Sequence, residues 1–412
     1  MDHQTQVSII KELQHQVRSG VNVDAAIIYK CPTSVYTDPA LADQEWRAFF
    51  EEHPQIIGLS GDLPEKGSYI SLEDFGVPIL ATRDQKGRFR TFVNACRHRG
   101  ARLTSESRGI RNRFVCPYHS WTYANSGELV AMPQPDHFGP LDKACFGLIE
   151  LPSCEHAGLL WVHPQPEGRI DVSKQLGQLE QELIGLNLGE FVQTKASTID
   201  RRLNWKLAID TFGETYHVKK LHRDTLSRRI IGDATVFNAF GRNHRFVAAT
   251  QLLEVISNQV EAEWNLLECA LVLYFLFPNV ILATNPAGIT LFRIYPDPKD
   301  SSRSITQASI YQTQGLIDAA KNPTPDIELM TAENALDPIE SFKGIPVPTT
   351  DSIYKTIVSV LEEEDYPVAE TTQQAADSGT LQYLVFGKNE PALHHVHNVY
   401  SEALGLPRLE YL

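Results

Sequence analysis

The sequence CRHRGARL at residues 96–103, with CPYHSWTY at residues 116–123, decides how the first half of the chain folds. Each stretch carries one cysteine and one histidine, in the pattern C-x-H, seventeen intervening residues, then C-x-x-H. Two metal centres accept this ligand set. One is a tetrahedral Cys2His2 zinc site, and the other is a 2Fe–2S cluster with two cysteines on one iron and two histidines on the other. The candidate ligands are Cys96, His98, Cys116 and His119.

The spacing of these four residues favours the iron–sulfur cluster over zinc. Because each stretch supplies one cysteine and one histidine, two similar turns can each give one ligand to each iron. Zinc fingers more commonly pair their cysteines in one arm and their histidines in the other. Gly100 and Pro117 are turn-forming residues beside the ligands, which suits a backbone that bends around a cluster. Zinc, and four unrelated residues in a β domain, are the alternatives.

The rest of the pattern predicts a small β domain inserted in a larger α+β domain. Residues 45–165 alternate short apolar runs such as VPILATR with Gly, Asp and Asn turns, which is typical of short strands. Nearly continuous apolar runs predict buried strands over 269–295, and the Pro- and Thr-rich residues 322–350 predict a surface loop. Apolar residues at helical spacing predict helices over 1–20, 172–188, 205–222, 351–374 and 390–405. The last helix carries three close histidines that are expected on its surface, with a further metal site as the alternative, namely His394, His395 and His397.

Composition and charge exclude several classes of protein. The chain has 412 residues, of which 42% are hydrophobic, as expected of a globular protein. The formal net charge is −14 and no basic patch stands out, so no nucleic-acid partner is expected. No apolar run of about 18 residues predicts a membrane span, and the N-terminus lacks the pattern of a secretory signal. Six cysteines are too few for a disulfide scaffold. Without a secretory signal, a reducing cytoplasm is the expected location.

A second group of metal-binding residue types lies in WKLAIDTFGETYHVKKLH at 205–222. Asp210, Glu214 and His217 fall at i, i+4 and i+7, which places them on one face of a helix. His222 follows five residues after His217, so both reach one metal only if the helix widens or ends there. Two histidines and one carboxylate with open positions form the facial triad of non-haem Fe(II) oxygenases. From the residues alone, histidines at this spacing are more often surface or core residues than ligands.

The cysteine-containing stretches resemble the two cluster loops of Rieske-type ring-hydroxylating oxygenase α subunits. The resemblance implies a Rieske 2Fe–2S cluster, in which Cys96 and Cys116 hold one iron while His98 and His119 hold the other. Imidazole ligands raise the reduction potential of such a cluster relative to an all-thiolate one.

The segment from Asn204 to His222 resembles the mononuclear-iron segment of the same family, with its N-W-K opening and E-x-x-H-x-x-x-x-H core. The resemblance implies that His217 and His222 are ligands of a mononuclear Fe(II). Glu214 would be the carboxylate that hydrogen-bonds across a subunit interface to the cluster histidine of a neighbour, here His119. Many relatives carry Asp at this position, and the longer Glu is closer to members that oxidise quaternary amines.

The third iron ligand is expected in a late helix, where EEEDYPVAETTQQ at 362–374 resembles the corresponding family segment. The predicted ligand is Asp365, with Glu364 and Glu370 as alternatives. Asp210 is a candidate for orienting a ligating histidine, because carboxylates commonly accept the second ring N–H of such histidines. A solvated position on the helix is the alternative for Asp210.

The resemblance also implies the fold and the partners. The fold class is α+β, with an all-β Rieske domain inserted in a helix-grip catalytic domain of the START/Bet v 1-like type. The expected domains are an N-terminal helical segment packing on the catalytic domain (1–44), the Rieske domain (45–165) and the catalytic domain (166–412). No glycine motif for a flavin or nicotinamide stands out, so NAD(P)H would act indirectly, through a separate reductase with or without a ferredoxin. The inter-subunit path implies a ring, and a homotrimer is expected.

The function that follows is the terminal oxygenase component of a multicomponent Rieske oxygenase. It would use O2 and delivered electrons to hydroxylate a small organic, aromatic substrate. The alternative within the family is a monooxygenase or demethylase that acts on a quaternary ammonium or an N- or O-methyl substrate. Two other classes of protein stay open: a pure Rieske electron carrier, and a helix-grip binding protein with a structural zinc.

Overall fold

The computed structural model describes residues 1–21, 25–321 and 348–412. Residues 322–347, most of the stretch predicted as a loop, lie outside the described residues. The chain forms two compact units. The larger unit comprises Met1–Gln44, Gln175–Leu186 and Gln193–Leu412, and the smaller unit comprises Glu45–Lys174 and Asn187–Val192.

Short antiparallel strands build the smaller unit, as the alternation of apolar runs and turns predicts. The strands up to residue 162 are β1 (Tyr29–Pro32), β2 (Gln55–Leu59), β3 (Ser68–Leu72), β4 (Ile79–Arg83), β5 (Phe89–Val93), β6 (Arg108–Ile110), β7 (Arg113–Val115), β8 (Thr122–Ala124), β9 (Leu129–Ala131), β10 (Glu150–Leu151), β11 (Ser153–His156) and β12 (Leu159–Val162). Strand β1 belongs to the larger unit. In the described residues of the smaller unit, β2 to β12 form three sheets, in the orders β10-β5-β4-β3-β6, β11-β12-β2 and β7-β8-β9.

Tight turns between neighbouring strands explain why this segment folds as hairpins. Between β4 and β5, the Asp84 carboxylate accepts the backbone N–H groups of Lys86 and Arg88, at 2.8 and 2.9 Å. Between β8 and β9, Gly127 has φ +95°, and a Cβ at that position would lie 2.5 Å from the Phe92 ring. Only glycine combines that backbone conformation with so close an approach.

One antiparallel sheet dominates the larger unit. The later strands are β13 (Phe191–Arg201), β14 (Ile230–Phe240), β15 (Asn243–Thr250), β16 (Ala270–Leu276), β17 (Val280–Asn285), β18 (Gly288–Asp297), β19 (Asp300–Thr313), β20 (Tyr383–Phe386) and β21 (Glu410–Tyr411). In the described part of this unit, the sheet runs β13-β19-β18-β17-β16-β15-β14, and a smaller sheet runs β20-β1-β21. Strands β16, β17 and β18 are almost entirely buried, which confirms the prediction for 269–295.

Helices pack on this sheet and connect its strands. The α-helices are His3–Ser19, Ser34–Thr37, Pro39–Glu45, Val172–Leu176, Glu180–Ile184, Trp205–Asp210, Val218–Leu221, Leu253–Ser257, Leu266–Cys269, Gln314–Lys321, Thr350–Ile353, Tyr366–Asp377 and Pro391–Ala403. Wider π-helical turns occur at Trp46–Glu51, Tyr354–Val358 and Leu361–Asp365. The described residues contain no helix long and apolar enough to span a membrane.

The predicted single helix over 205–222 is wrong in its continuity. The helix Trp205–Asp210 begins with the Asn204 side chain accepting the Lys206 N–H, and it ends where Gly213 N donates to the Asp210 carbonyl. A Cβ at Gly213 would lie 2.3 Å from Leu393, so the chain turns away there at a residue without a side chain. The helix resumes only for the turn Val218–Leu221.

The surface position expected for the late histidines is also wrong for two of the three. In the helix Pro391–Ala403, His394 is 6% exposed and His397 is 3% exposed. The apolar residues of this helix, such as Val396 and Val399, are buried as well, because the helix lies against other elements on most of its circumference.

A buried ion pair ties the short helix Glu180–Ile184 to the large sheet. The Glu182 carboxylate lies 2.6 Å from an Arg245 guanidinium nitrogen and accepts the Tyr274 hydroxyl at 2.7 Å. The Arg245 and Glu182 side chains are 4% and 10% exposed. Removing one partner of such a pair leaves the other charge buried without compensation.

We therefore expect Glu182→Ala to lower the free energy of unfolding by about 3 kcal/mol, measured by urea denaturation. The matched control is Asp351→Ala, which removes the exposed ion pair between Lys195 and Asp351. Exposed pairs contribute about 1 kcal/mol or less. Equal losses for the two variants would contradict a structural role for the Glu182 pair.

Candidate functional site

Two loops of closely similar geometry carry the cysteines and histidines of the smaller unit. In the first, Cys96 N donates to the Ala101 carbonyl at 2.8 Å, and the Cys96 carbonyl accepts from Gly100 N at 2.9 Å. In the second, Cys116 N donates to the carbonyl five residues on at 2.8 Å, and its carbonyl accepts from Ser120 N at 3.0 Å. Gly100 and Ser120 both have positive φ, at +73° and +57°. Each loop therefore closes as a tight turn around its cysteine.

The loops bring their candidate ligands together in two pairs. Cys96 and Cys116 are both buried, and they belong to the same apolar cluster. The Nδ1 atoms of His98 and His119 are 3.1 Å apart. The His98 ring stacks on Trp121 with a centroid distance of 5.1 Å and an interplanar angle of 13°.

This arrangement suits a group that takes two thiolates inside and two imidazoles outside. The Tyr123 hydroxyl lies 3.4 Å from Cys96 Sγ and accepts the Arg97 N–H at 3.0 Å, which supplies a polar contact to an otherwise apolar pocket. His119 is exposed, and because its Nδ1 faces His98, its Nε2 points to the opposite side of the ring. By donor chemistry alone, both a Rieske cluster and a zinc ion fit these four residues.

A second centre forms in the larger unit from residues of two separate segments. His217 Nε2 and His222 Nε2 are 3.1 Å apart, and Asp365 Oδ1 lies 3.4 Å from the first and 3.0 Å from the second. These three atoms lie within 4.8 Å of one another, close enough to hold one metal ion. Two imidazoles and one carboxylate are the donor set of a facial triad, which suits Fe(II).

Local backbone structure accounts for the convergence. His217 and His222 stand immediately before and after the one-turn helix Val218–Leu221, so the five-residue spacing places both rings on one side. Asp365 ends the π-helical turn Leu361–Asp365 and begins the helix Tyr366–Asp377. A 2.7 Å hydrogen bond between Tyr366 Oη and Thr306 Oγ1 fixes this helix on strand β19.

Each histidine is held by a second carboxylate on its other ring nitrogen. Glu214 hydrogen-bonds His217 Nδ1, and its second oxygen accepts the His217 backbone N–H at 3.1 Å. Glu364 Oε2 lies 2.7 Å from His222 Nδ1 and accepts the Thr225 hydroxyl at 2.9 Å. Carboxylates in this position orient a ligating imidazole and raise its basicity. Both Nε2 atoms are thereby directed to the same point.

The electrostatics of this centre favour positive charge. Burial alone would lower the pKa of His217, but hydrogen bonds to Asp365 and Glu214 raise that pKa to about 10. Burial likewise opposes a raised pKa at His222, where Asp365 and Glu364 outweigh it. Burial would raise the pKa of Asp365, yet the two histidines lower it. A divalent cation satisfies the same carboxylates that draw protons to these rings, so the residues fit a metal ion.

The remaining predicted site residues lie apart from this centre. The Glu370 carboxylate accepts the Arg202 backbone N–H at 2.9 Å, so it connects its helix to the segment before Asn204. Asp210 accepts hydrogen bonds from Tyr36 at 2.8 Å and from His397 at 2.9 Å. Among the described residues, no hydrogen bond joins Asp210 to His217 or His222. The sequence did not indicate the roles of Tyr36 and His397, since neither lies in a metal-binding pattern.

Models of two known protein families match this chain, one over each candidate centre. The family model "Ring hydroxylating alpha subunit (catalytic domain)" matches residues 188–406, and the "Rieske [2Fe-2S] domain" model matches residues 53–152. The second match covers all four cysteine and histidine candidates. It selects the Rieske cluster over the zinc ion that the same donors also accept.

Curated relatives include enzymes of two kinds. The chain is 32% identical over 209 residues to the glycine betaine monooxygenase oxygenase subunit of Chromohalobacter salexigens, covering 50% of this chain and 46% of that protein. It is 31% identical over 207 residues to the toluate 1,2-dioxygenase subunit alpha of Pseudomonas putida, covering 47% and 45%. The aligned residues thus span about half the length of the curated relatives.

Solved structures share the fold over nearly the whole chain. A quaternary ammonium Rieske monooxygenase superposes with a TM-score of 0.69 at 18% identity, covering 92% of this chain and 95% of that one. Naphthalene 1,2-dioxygenase superposes with a TM-score of 0.69 at 18% identity, covering 91% and 92%. The predicted fold class, an all-β Rieske domain with a mixed α/β catalytic domain, is confirmed.

The contact between Glu364 and His222 leads to a test. We expect Glu364→Gln to weaken Fe(II) binding by about 10-fold, because a neutral amide orients the imidazole less firmly and makes it less basic. The measurement is iron retention against a graded chelator. Glu363→Gln is the matched control, since Glu363 is an exposed neighbour in the same acidic run. Equal iron retention in Glu364→Gln and the wild type would exclude this orienting role.

Proposed function

The chain belongs to the family of ring-hydroxylating α subunits, and from this we propose that it is the terminal oxygenase of a multicomponent Rieske system. Residues 45–165 would be its Rieske domain and 166–412 its catalytic domain. The observation that carries the proposal is the meeting of His217 Nε2, His222 Nε2 and Asp365 Oδ1 within 4.8 Å. A pure Rieske electron carrier would not need this second centre, so the centre favours an oxygenase over an electron carrier.

The two centres have different roles in the proposed reaction. Cys96, His98, Cys116 and His119 would hold the 2Fe–2S cluster, and His217, His222 and Asp365 would hold the mononuclear Fe(II). When bound, the cluster supplies single electrons and the Fe(II) supplies O2 chemistry at a small organic substrate. The protein's own part is to position the substrate, exclude water and fix the ligands.

Water exclusion follows from burial around the centre. His222 is 1% exposed, and Asp365 is 8% exposed. Phe212, five residues before His217, packs on Phe292 of strand β18 with a ring-centroid distance of 5.0 Å. Burial of His222 and Asp365 limits the access of bulk water to the ligand atoms.

Glu214 has a further role in the proposal. Its side chain is 15% exposed, and the cluster histidine His119 is exposed at its own surface. In a homotrimer, Glu214 would accept a hydrogen bond from His119 of a neighbouring copy, while its other contacts hold His217. One carboxylate would then join the two centres. A separate NAD(P)H-dependent reductase, with or without a ferredoxin, would deliver the electrons.

Two substrate classes fit the proposal. Hydroxylation of an aromatic ring is the first, and the toluate dioxygenase subunit is a relative of that kind. N-demethylation of a quaternary ammonium is the second, and the presence of Glu rather than Asp at position 214 favours it. The glycine betaine monooxygenase subunit is a relative of that second kind.

We expect His217→Ala to abolish substrate-dependent O2 consumption while leaving the cluster signal in the electron paramagnetic resonance spectrum unchanged. The reason is that His217 lies in the larger unit, whereas the cluster residues lie in the smaller one. Turnover is measured with an added reductase. Surviving turnover would remove His217 from the iron site.

Glu214→Gln is the companion variant, because it keeps the size of the side chain but removes its charge. Like Glu364→Gln, it should weaken Fe(II) binding by about 10-fold, so it is assayed with excess ferrous ion. Under that condition it should keep its full cluster signal, yet slow the single-turnover rate from a pre-reduced cluster. An unchanged single-turnover rate would remove the bridging role and leave Glu214 only as the partner of His217.

Products distinguish the two substrate classes. The resemblance of Glu214 to family members that oxidise quaternary amines predicts that trimethylammonium compounds such as glycine betaine are turned over with release of one formaldehyde per O2. Formaldehyde assay and mass spectrometry of the products are the measurements, with benzoate as the matched anionic arene. Formation of a cis-diol from benzoate, without formaldehyde from the ammonium compounds, would assign the chain to the ring hydroxylases.

A further inference from the structure

Asp210 stands at the centre of a buried hydrogen-bonded group in the larger unit. Its Oδ1 lies 2.9 Å from His397 Nε2, and its Oδ2 accepts the Tyr36 hydroxyl at 2.8 Å. Tyr36 is fully buried, His397 is 3% exposed, and the Asp210 side chain is 12% exposed. Cys31 Sγ lies 3.7 Å from His397 Nδ1 and 3.5 Å from Tyr36 Oη.

His397 supplies the positive charge that a buried carboxylate requires. Burial alone would lower the pKa of His397, but the neighbouring Asp210 carboxylate raises it to about 10. Burial and the charge of Asp210 together hold the pKa of Tyr36 well above its usual value. Tyr36 therefore stays protonated and donates to Asp210. Both oxygens of the carboxylate are thus engaged, one by a cation and one by a neutral donor.

The helix of His397 meets the turn that leads to the iron ligands at two points. His397 contacts Asp210, the last residue of the helix Trp205–Asp210. One turn earlier in the same helix, Leu393 packs so closely on Gly213 that a Cβ there would lie 2.3 Å from it. Gly213 N also donates to the Asp210 carbonyl at 3.0 Å, and Glu214 follows directly. The turn that leads to Glu214 is therefore anchored to Asp210 and to the helix Pro391–Ala403.

Tyr36 connects the same group to the segment of the third ligand. Its backbone carbonyl accepts from Asn204 Nδ2 at 3.2 Å and from Gln373 Nε2 at 3.4 Å. Asn204 precedes the helix that ends at Asp210, and Gln373 lies in the helix Tyr366–Asp377 that begins beside Asp365. Asn204 N also donates to Gln373 Oε1 at 2.8 Å. Both ligand-bearing segments are thus tied to one buried tyrosine.

We propose that His397 is a positioning residue of the mononuclear metal centre, which acts through Asp210 and Tyr36 to hold the two ligand-bearing segments in register. The proposal rests on the proposed function, since it presumes that His217, His222 and Asp365 bind a metal. In the part of the chain that the structure describes, no hydrogen bond joins His397 to His217, His222 or Asp365. Its effect reaches them through the turn at Gly213 and through the backbone of Tyr36.

The test measures Fe(II) affinity of the full-length protein by anaerobic chelator competition, with ferrous ion as the only added ligand. We expect His397→Gln to lose about 10-fold or more in Fe(II) affinity, the size of effect typical of residues behind metal ligands. It should also broaden the electron paramagnetic resonance signal of the ferrous protein treated with nitric oxide. His394→Gln is the matched control and should stay within about 2-fold, because His394 is buried in the same helix but hydrogen-bonds the Phe386 carbonyl at 3.3 Å.

A double variant separates positioning from simple loss of packing. In His397→Gln the Asp210 carboxylate loses its counter-ion, whereas Asp210→Asn combined with His397→Gln removes the charge as well. We expect the double variant to bind Fe(II) more tightly than His397→Gln alone, a coupling that a double-mutant cycle measures. If His397→Gln does not fold, judged by the cluster signal and the melting temperature, Tyr36→Phe takes its place with an expected loss of Fe(II) affinity above about 3-fold.

Several results would overturn the proposal. Wild-type affinity in His397→Gln would do so, as would equal losses in His397→Gln and His394→Gln, or strictly additive losses in the double variant. Wild-type affinity in Tyr36→Phe would do the same where that variant is the one tested. Failure of the wild-type protein to bind Fe(II) is a separate result, measured first, and it would overturn the proposed function itself.

Discussion

A carboxylate on the Nδ1 atom of each histidine, His217 and His222, is the interaction on which the candidate metal centre depends. Glu214 holds His217 and Glu364 holds His222, so that both Nε2 atoms face Asp365. An imidazole free to rotate would offer its ligand atom to the metal only part of the time, and ordering it would weaken binding. With both rings held beforehand, His217, His222 and Asp365 would hold an Fe(II) ion and leave open positions for O2 chemistry.

Structural features outside the candidate ligands hold these two carboxylates in place. Glu214 follows a glycine against which a neighbouring helix packs closely, and Glu364 lies in a π-helical turn whose extra residue alters the direction of the side chains after it. The buried group around Asp210 anchors the chain just before Glu214. In the smaller unit the same principle takes another form, since two tight turns present buried thiols and outward imidazoles without help from distant residues. The cysteine and histidine centre is formed by residues close together in the sequence, whereas the centre of His217, His222 and Asp365 is formed by two distant segments.

This difference decides how much the sequence could predict. The cluster loops follow from four residues within 24 positions, and the buried strands follow from apolar runs, so both were predicted. The acidic run Glu362–Asp365 did not reveal by pattern which member faces the histidines. In the structure Glu362 contacts Arg201, and Glu364 contacts His222 Nδ1. Asp365 contacts the Nε2 atoms of both His217 and His222. The helical turn sets those directions, and no local pattern specifies it. His397 and Asp210 are 187 residues apart, so their contact depends wholly on tertiary packing.

The most direct test of two metal centres in one chain is iron, zinc and acid-labile sulfide analysis of anaerobically purified protein. It is combined with an electron paramagnetic resonance spectrum after reduction. The expected result is about three irons and about two sulfides per chain, with a Rieske-type signal. Two irons per chain that rise to three when ferrous ion is added would also support both centres, with the mononuclear iron lost during purification. Zinc without sulfide would contradict both centres and with them the proposed oxygenase.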